Sequence, residues 1–302
     1  MSIGNQVEIL MINKNNTISK LVLVLLLVLN PFFTFAQNTI QKTSEKSEIQ
    51  NIQPLYGNNQ QVGKFYDVRG IKLYCEIYGE GSPLLFIHGN GGSIKSFEKQ
   101  IPYFSSKYKV IIPDSRAQGR SDDPSDSLSY DMMADDFAEL LNQLNIDSVK
   151  VIGWSDGGIN GLLLAIRHPE KVKMLTITGA NITPDTTAIF PNDFNEMWNT
   201  VNTLKNKTNK SDQEKKDYKL NKLMCEQPNI PLNDLQKITA PTLVIAGDHD
   251  MIRLNHTLLI QQNIKGAFLW ILPNSGHATL MQYPDEFNQK VDTFFTKKLI
   301  AQ

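Results

Sequence analysis

The most chemically distinctive stretch of the chain is Val-Ile-Gly-Trp-Ser-Asp-Gly-Gly, residues 151–158. An apolar run ends at Gly153, Ser155 follows two residues later, and an apolar helix-forming segment comes next. On a sharp turn between a strand and a helix, a serine hydroxyl is held clear of the sheet and faces the free N–H groups of the helix. A glycine loop without a function is the alternative, but this context favours Ser155 as a nucleophile.

A nucleophilic serine needs a base to take its proton, and the chain has five histidines. His168 stands at the end of a predicted helix and His256 within another, so both are predicted to be exposed. His249 lies in a turn between two aspartates, and His88 starts a glycine-rich loop. His277 follows a predicted strand and a turn, where no packing role is evident, so it is the best candidate for the base.

The base in turn needs an acid to orient it. The segment Ala-Gly-Asp-His-Asp, residues 246–250, ends a predicted strand and offers Asp248 and Asp250. Either carboxylate could orient His277 by the same physics. The chain order of serine, aspartate and histidine is that of one hydrolase architecture and differs from the chymotrypsin and subtilisin orders.

Short apolar strands that alternate with helical segments position these residues. The strands are predicted over residues 64–68, 71–78, 83–87, 109–113, 149–153, 173–178, 241–246 and 267–272. Such alternation indicates an α/β fold, a mostly parallel sheet with helices on both faces. Sites in these sheets form at the carboxyl ends of the strands, which is where the candidate residues lie.

Five motifs in this order resemble the α/β-hydrolases of the lipase and esterase superfamily. They are His88-Gly-Asn-Gly-Gly, Asp114-Ser-Arg-Ala-Gln-Gly-Arg-Ser, Gly153-Trp-Ser-Asp-Gly-Gly, Pro241-Thr-Leu-Val-Ile-Ala-Gly-Asp-His-Asp and Gly276-His277. The resemblance covers the chain from about Lys64 to its end. It implies the α/β-hydrolase fold with a small helical cap. It also implies Ser155 as nucleophile, Asp250 as acid and His277 as base.

The same resemblance implies an oxyanion hole made of the backbone N–H groups of Asn90 and Asp156. A serine at position 155 argues against the dehalogenase and epoxide-hydrolase branches, whose nucleophile is a carboxylate. The form Gly-Trp-Ser-Asp-Gly-Gly is similar to small-ester hydrolases of the valacyclovir-hydrolase-like type. The Asp156 side chain has two interpretations, a cap of the helix N-terminus or a partner for a cationic substrate group.

Two further expectations concern the segment after the fourth predicted strand. Asp114 and Arg116 are expected to form a structural ion pair. Ala117 stands where the family usually has glycine, so the geometry of this loop is expected to differ from the family pattern.

The domain organisation follows from where the alternation of strands and helices breaks. Residues 61–180 and 241–302 are predicted to form the two parts of the core, and residues 181–240 a helical cap. Aromatic side chains near the nucleophile and in the cap are candidate substrate-binding residues: Trp154, Phe190, Phe194 and Trp198. Packing within the cap is the alternative for the last three.

The N-terminal region resembles a secretory signal peptide. Lys14 and Lys20 precede the apolar run Leu21–Leu29, and small residues end at Ala36. This pattern predicts a signal peptide over residues 1–36, cleaved after Ala36, and export to the periplasm or the medium.

A membrane anchor formed by residues 21–36 is the alternative, but an Asn-Pro pair interrupts the apolar run, which is shorter than the ~20 residues of a span. Either Met1 or Met11 could be the true start. The polar residues 37–60 are predicted to be a flexible leader, so no stable anchor is expected after cleavage.

Composition excludes several classes of function. Thirty basic and thirty-one acidic residues give a net charge of −1, which does not favour a nucleic-acid partner. The sequence has no metal-ligand spacing and no dinucleotide or phosphate loop, so no metal or cofactor is expected. Cys75 and Cys225 could pair, or remain as buried free thiols. The sequence does not fix an oligomeric state.

The sequence therefore predicts a hydrolase that cleaves a small-molecule carboxylic ester through an acyl-enzyme on Ser155. A lactonase, an amidase or a C–C hydrolase with the same triad stays open. So does a different class, a ligand-binding receptor on the same fold.

Overall fold

The computed structural model describes residues 55–125 and 127–297. The predicted signal peptide, residues 1–36, and residues 37–54 of the predicted leader lie outside these residues. The predicted C-terminal boundary of that leader, residue 60, is wrong. Gly57 and Asn59 donate their backbone N–H groups to the buried carboxylate of Glu76, at 2.9 and 2.7 Å. Residues 57–59 are therefore attached to the core, and a flexible leader cannot extend to residue 60.

One eight-stranded sheet organises the described part of the chain. Its strands are β1 (Gly63–Val68), β2 (Ile71–Tyr78), β3 (Ser82–Ile87), β4 (Tyr108–Pro113), β5 (Val149–Trp154), β6 (Val172–Thr178), β7 (Thr242–Gly247) and β8 (Phe268–Leu272). The spatial order is β1-β2-β4-β3-β5-β6-β7-β8. β2 pairs antiparallel with both of its neighbours, and all other pairs are parallel. The predicted mostly parallel sheet is confirmed.

Helices connect the strands in the alternation expected of a parallel sheet. They are α1 (Ile101–Ser105), α2 (Tyr130–Gln143), α3 (Asp156–Arg167), α4 (Pro191–Lys205), α5 (Asp212–Glu226), α6 (Leu232–Leu235), α7 (Leu254–Asn263), α8 (Thr279–Gln282) and α9 (Pro284–Thr296), with 3-10 turns at Ile94–Phe97 and Pro169–Lys171. Over residues 55–125 and 127–297, none of these helices has the length and apolar character to cross a membrane.

The sheet is apolar on both faces because alternate residues of each central strand enter different cores. Leu85 and Ile87 of β3 pack in one cluster with α2 and α3, whereas Leu84 and Phe86 pack in another with α1 and α9. Side chains of successive strand residues point to opposite faces, so a strand covered on both sides reads as an unbroken apolar run. This is the arrangement that the sequence predicts.

The predicted cap, residues 181–240, contains α4, α5 and α6. Helices α4 and α5 pack against each other. A small cluster with its own buried side chains lies there: Ala188, Ile189, Met197, Val201, Cys225 and Ile252. Five of these six residues belong to the insertion, and Ile252 joins them from the segment after β7.

The loop after β4 differs from its prediction. Asp114 accepts backbone N–H groups from Ile94 and Arg120, at 2.8 and 2.7 Å, and makes no pair with Arg116. Arg116 binds the buried Asp136 through two hydrogen bonds, at 2.6 and 2.7 Å. The expected ion pair is wrong because each side chain has a better-placed partner. Ala117 has φ +63°, the left-handed conformation in which glycine is the usual residue.

Both cysteines are buried and free. Cys75 lies in β2 and Cys225 in α5. The disulfide that the sequence left open is therefore absent.

Candidate active site

Ser155 occupies the turn between β5 and α3. Its backbone has φ +56° and ψ −120°, a strained conformation for a residue with a side chain. Glycines on either side make the turn possible. A Cβ at Gly153 would lie 2.1 Å from the carbonyl oxygen of Gly157, and a Cβ at Gly157 would lie 1.9 Å from that of Ile87. The sequence pattern therefore folds into a tight elbow that projects the serine.

A continuous hydrogen-bond chain links the elbow to the loops after β7 and β8. Ser155 Oγ lies 2.8 Å from Nε2 of His277, and Nδ1 of His277 lies 2.7 Å from Oδ1 of Asp250. The Asp250 side chain is buried and also accepts the Ile252 N–H at 2.9 Å. A carboxylate beside Nδ1 holds the proton there, which leaves Nε2 free to accept the serine proton.

The two candidate acids, Asp248 and Asp250, have different surroundings in the structure. Asp248 is turned toward the surface, where it accepts the Ser275 N–H at 3.1 Å and contacts Nδ1 of His249 at 2.7 Å. The bond with His249 lowers the pKa of Asp248 to about 2. His249 itself is 75% exposed. Geometry thus brings Asp250 to His277 and leaves Asp248 and His249 outside the chain of hydrogen bonds.

The remaining histidines have structural contacts. His88 is buried, accepts the Ser115 N–H on Nε2 at 2.9 Å and donates from Nδ1 to the Gly89 carbonyl at 2.8 Å. Burial lowers its pKa to about 4, so the ring is neutral at physiological pH. His168 is partly exposed and contacts Asp135 at 2.8 Å.

His256 corrects a prediction, since it is buried rather than exposed. Its Nε2 accepts the backbone N–H of Ile182 at 3.0 Å. That partner lies 74 residues away, so the local sequence carried no sign of the contact.

Residues 88–90 run directly against the elbow. A Cβ at Gly89 would lie 3.1 Å from Cβ of Ser155, which is tighter than ordinary contact, so a side chain there would crowd the elbow. Asn90 follows, and Asp156 is the first residue of α3. Among the described residues, neither backbone N–H has a protein acceptor, which leaves both free to bind an anionic oxygen.

The Asp156 side chain is almost fully buried, with 3% exposure. Its Oδ2 accepts a hydrogen bond from Nδ2 of Asn90 at 2.8 Å, and no helix N–H bonds to it within the described residues. The capping bonds that the sequence suggested are therefore not formed. Burial raises the pKa of Asp156 to about 6, although Asn90 and Tyr130 partly offset this effect.

The predicted substrate-binding aromatics have identified packing partners. The indole N–H of Trp154 donates to the His277 carbonyl at 3.0 Å, so this side chain supports the histidine loop. Phe194 and Trp198 pack edge-to-face, with ring centroids 6.5 Å apart, against the cap cluster. Phe190 is 45% exposed under the Arg253 guanidinium. The contacts of Phe194 and Trp198 match the packing alternative for the cap residues, whereas Phe190 is not packed within the cap. Substrate binding by these side chains stays a prediction.

In the part of the chain that the structure describes, no group of three or more histidine, cysteine, aspartate or glutamate side chains is arranged to hold a metal ion.

Comparison with known proteins identifies the fold. A family model described as the α/β hydrolase fold matches residues 82–202, which include the elbow and the His88–Asn90 loop. The chain has the α/β-hydrolase fold. In this fold the nucleophile, the acid and the histidine follow one another in the order that Ser155, Asp250 and His277 have here.

Individual relatives are hydrolases of several kinds. Serine hydrolase BPHL of Mus musculus is 27% identical over 249 residues, which are 75% of this chain and 84% of the mouse protein. A 2-hydroxy-6-oxo-6-(2'-aminophenyl)hexa-2,4-dienoic acid hydrolase of Metapseudomonas resinovorans is 24% identical and covers 86% of this chain and 97% of its own. The solved structure of the esterase EaEST from Exiguobacterium antarcticum has a TM-score of 0.67 at 22% identity and covers 78% of this chain and all of its own, a likeness of fold. Hydrolysis of small molecules is the activity that these comparisons support.

Proposed function

We propose that this α/β hydrolase cleaves a small carboxylic ester through an acyl-enzyme on Ser155. The observation that carries the proposal is the hydrogen-bond chain from Ser155 through His277 to Asp250, which starts at a strained elbow. A nucleophile, a base and an orienting acid in contact are the parts that acyl transfer to serine requires.

In the first half of the reaction, Ser155 Oγ attacks the ester carbonyl carbon while Nε2 of His277 takes the hydroxyl proton. The carbonyl oxygen becomes an oxyanion and accepts the N–H groups of Asn90 and Asp156. The tetrahedral intermediate then expels the alkoxide, which receives the proton from His277 and leaves as the alcohol. The acyl group remains bound to Ser155.

In the second half, His277 takes a proton from a water molecule, which attacks the acyl carbon. The second tetrahedral intermediate uses the same two N–H donors. Its collapse releases the carboxylic acid, and His277 returns the proton to Ser155 Oγ. Asp250 holds the ring of His277 and stabilises the imidazolium that forms twice in the cycle.

The choice of an ester rests on the ordinary reactivity of this machinery and on the likeness to a pimeloyl-[acyl-carrier protein] methyl ester esterase of Legionella pneumophila, which is 28% identical over 250 residues. A C–C hydrolase is the second candidate, because the Metapseudomonas resinovorans relative aligns over nearly its full length. Both candidates use the same serine site, so the structure of the substrate must distinguish them.

The test is a panel of p-nitrophenyl esters of graded acyl length, together with a lactone, an amide and a vinylogous 1,5-diketone acid. We expect turnover of at least one ester, lost in Ser155→Ala and kept in Ser106→Ala, an exposed serine that bonds only to a nearby carbonyl. Turnover of the diketone alone would show that the enzyme cleaves a carbon–carbon bond and not an ester. Turnover that survives Ser155→Ala would contradict the serine mechanism.

We also propose that residues 1–36 direct export, so that the enzyme acts in the periplasm or outside the cell. The support is the order of two lysines, an apolar run and small residues that end at Ala36. The substrate would then be a small ester that reaches that compartment.

A further inference from the structure

The Asn90 side chain lies between the elbow and the cap. Its Nδ2 donates to Oδ2 of Asp156 at 2.8 Å and approaches the Leu220 carbonyl of α5 at 3.4 Å. An amide nitrogen carries two hydrogens, so both contacts can form at once. Asn90 therefore contacts the start of α3 and a cap helix through a single atom.

We propose that the Asn90 side chain and the Asp156 carboxylate form an amide clamp, which holds the two oxyanion-hole N–H groups at a fixed separation and joins them to the cap at Leu220. The amide clamp, Asn90 with Asp156, is a positioning device. It rests on the proposed function, because it acts on the oxyanion hole that acyl transfer to Ser155 uses.

The need for a clamp follows from the backbone around each donor. The Asp156 N–H is fixed by α3, whose first turn begins there. The Asn90 N–H lies beyond the last residue of β3, Ile87, in a loop with glycines at positions 89, 91 and 92, where no strand pairing holds it. An oxyanion hole requires two donors in register, and a displacement of about 1 Å can cost about 10²-fold in rate. A side-chain bond between the two donor residues supplies the missing constraint.

Burial makes the bond effective. Asp156 is 3% exposed, so water cannot easily replace Asn90 as the donor to its carboxylate. The same burial disfavours the other interpretation of this carboxylate, a partner for a cationic substrate group. A substrate amine would have to reach a carboxylate that is 3% exposed and whose Oδ2 already accepts a hydrogen bond from Asn90.

The cap side of the clamp is anchored next to the contact. Leu220 is buried, and the neighbouring Lys219 donates to the buried carboxylate of Asp123 and to the Ser125 carbonyl of the core. Helix α5 is thus attached to the core by an ion pair one residue from the carbonyl that Asn90 approaches. The position of helix α5 on the core and the orientation of the Asn90 side chain are therefore linked.

The test compares single and double variants on one neutral ester that the wild-type enzyme hydrolyses. Asn90→Ala and Asp156→Ala each break the clamp, and we expect each to lower kcat by about 10-fold to 10²-fold with little change in KM. Asp156→Asn keeps an acceptor oxygen for Asn90 and should retain most of kcat. The double variant Asn90→Ala/Asp156→Ala should be no slower than the worse single variant, because both changes break one interaction.

Asn221→Ala is the matched control, because this asparagine lies on the same cap helix and bonds only to the Asp217 carbonyl. It should leave kcat unchanged. Circular dichroism and thermal melting establish that each variant is folded, and Asn90→Ser replaces Asn90→Ala if the latter does not fold.

The clamp and the proposed function can fail separately. Labelling of Ser155 by a fluorophosphonate tests the nucleophile in every variant, so a labelled but slow Asn90→Ala enzyme supports both ideas. Unchanged kcat in folded Asn90→Ala, or multiplicative losses in the double variant, would overturn the clamp and leave the serine mechanism intact. If Asp156→Ala alters only the ratio between an ester with a free α-amine and its acetylated form, the carboxylate binds a substrate cation and the clamp is also wrong.

Discussion

Ser155 Oγ lies 2.8 Å from Nε2 of His277, although 122 residues separate the two in the chain. The sheet explains the contact. Ser155 follows β5, Asp250 follows β7 and His277 follows β8, and these strands run parallel with β6 between the first two. Carboxyl ends of parallel strands share one edge, so three distant residues meet there.

His277→Ala is expected to reduce kcat by about 10³-fold or more, because the serine then has no base and the members of such a unit do not act additively. The matched control is His249→Ala, which removes an exposed ring outside the hydrogen-bond chain. Steady-state kinetics on one ester check both. Full activity in folded His277→Ala, or loss of activity in His249→Ala alone, would show that His277 is not the base.

The two aspartates give a second matched pair. Asp250→Asn should lower kcat by about 10³-fold to 10⁴-fold, because an amide no longer holds the productive tautomer of His277. Asp248→Asn removes only surface contacts with Ser275 and His249 and should leave kcat near that of the wild type. The reverse ranking, with both variants folded, contradicts the assignment of Asp250.

Asp156 should make stability depend on pH. Its pKa is raised by burial from 3.8 to about 6, so the native state binds this proton more tightly than the unfolded chain does. The resulting stabilisation is complete below about pH 4 and is lost as pH rises through about 6. Asp156→Asn removes this titration. The unfolding free energy of the variant minus that of the wild type should therefore increase by about 1–3 kcal/mol from pH 4 to pH 7.

Urea denaturation at several pH values measures this difference. Asp248→Asn serves as the control, because the lowered pKa of Asp248, about 2, places any effect of its own below pH 4. Parallel pH profiles for the wild type and Asp156→Asn between pH 4 and 7 would show that the carboxylate is not buried as the structure has it.

Export predicts a defined N-terminus. When the full gene is expressed in a bacterium with general secretion, we expect the mature chain to begin at Gln37, because the signal pattern ends at Ala36. Intact-mass spectrometry of the periplasmic and membrane fractions measures this directly. An uncleaved chain in the membrane fraction would favour the alternative, an anchor formed by residues 21–36.

The sheet and the candidate triad could be predicted because their signals are local. Apolar runs of about six residues mark buried strands wherever they lie, and the segment around Ser155 carries its own glycines. Asp250 and His277 follow strands directly, so the position of each in the fold comes from its neighbours in the chain. The choice between Asp248 and Asp250 needed the family resemblance, since local sequence allows both.

The failures all involve partners far apart in the chain. His256 is buried because it accepts the Ile182 N–H, and Arg116 pairs with Asp136 rather than with nearby Asp114. Glu76 holds residues 57–59 through backbone amides, which have no sequence signature. The bond between Asn90 and Asp156 spans 66 residues, and neither side chain alone indicates it.

The most direct test of the account is the site of covalent labelling. The purified enzyme is treated with a fluorophosphonate, digested and analysed by tandem mass spectrometry, alongside Ser155→Ala and His277→Ala. We predict one modified residue, Ser155, with no label in Ser155→Ala and slow labelling in His277→Ala. Modification of a different residue, or none in an enzyme that still hydrolyses esters, would contradict the proposal that Ser155 is the nucleophile.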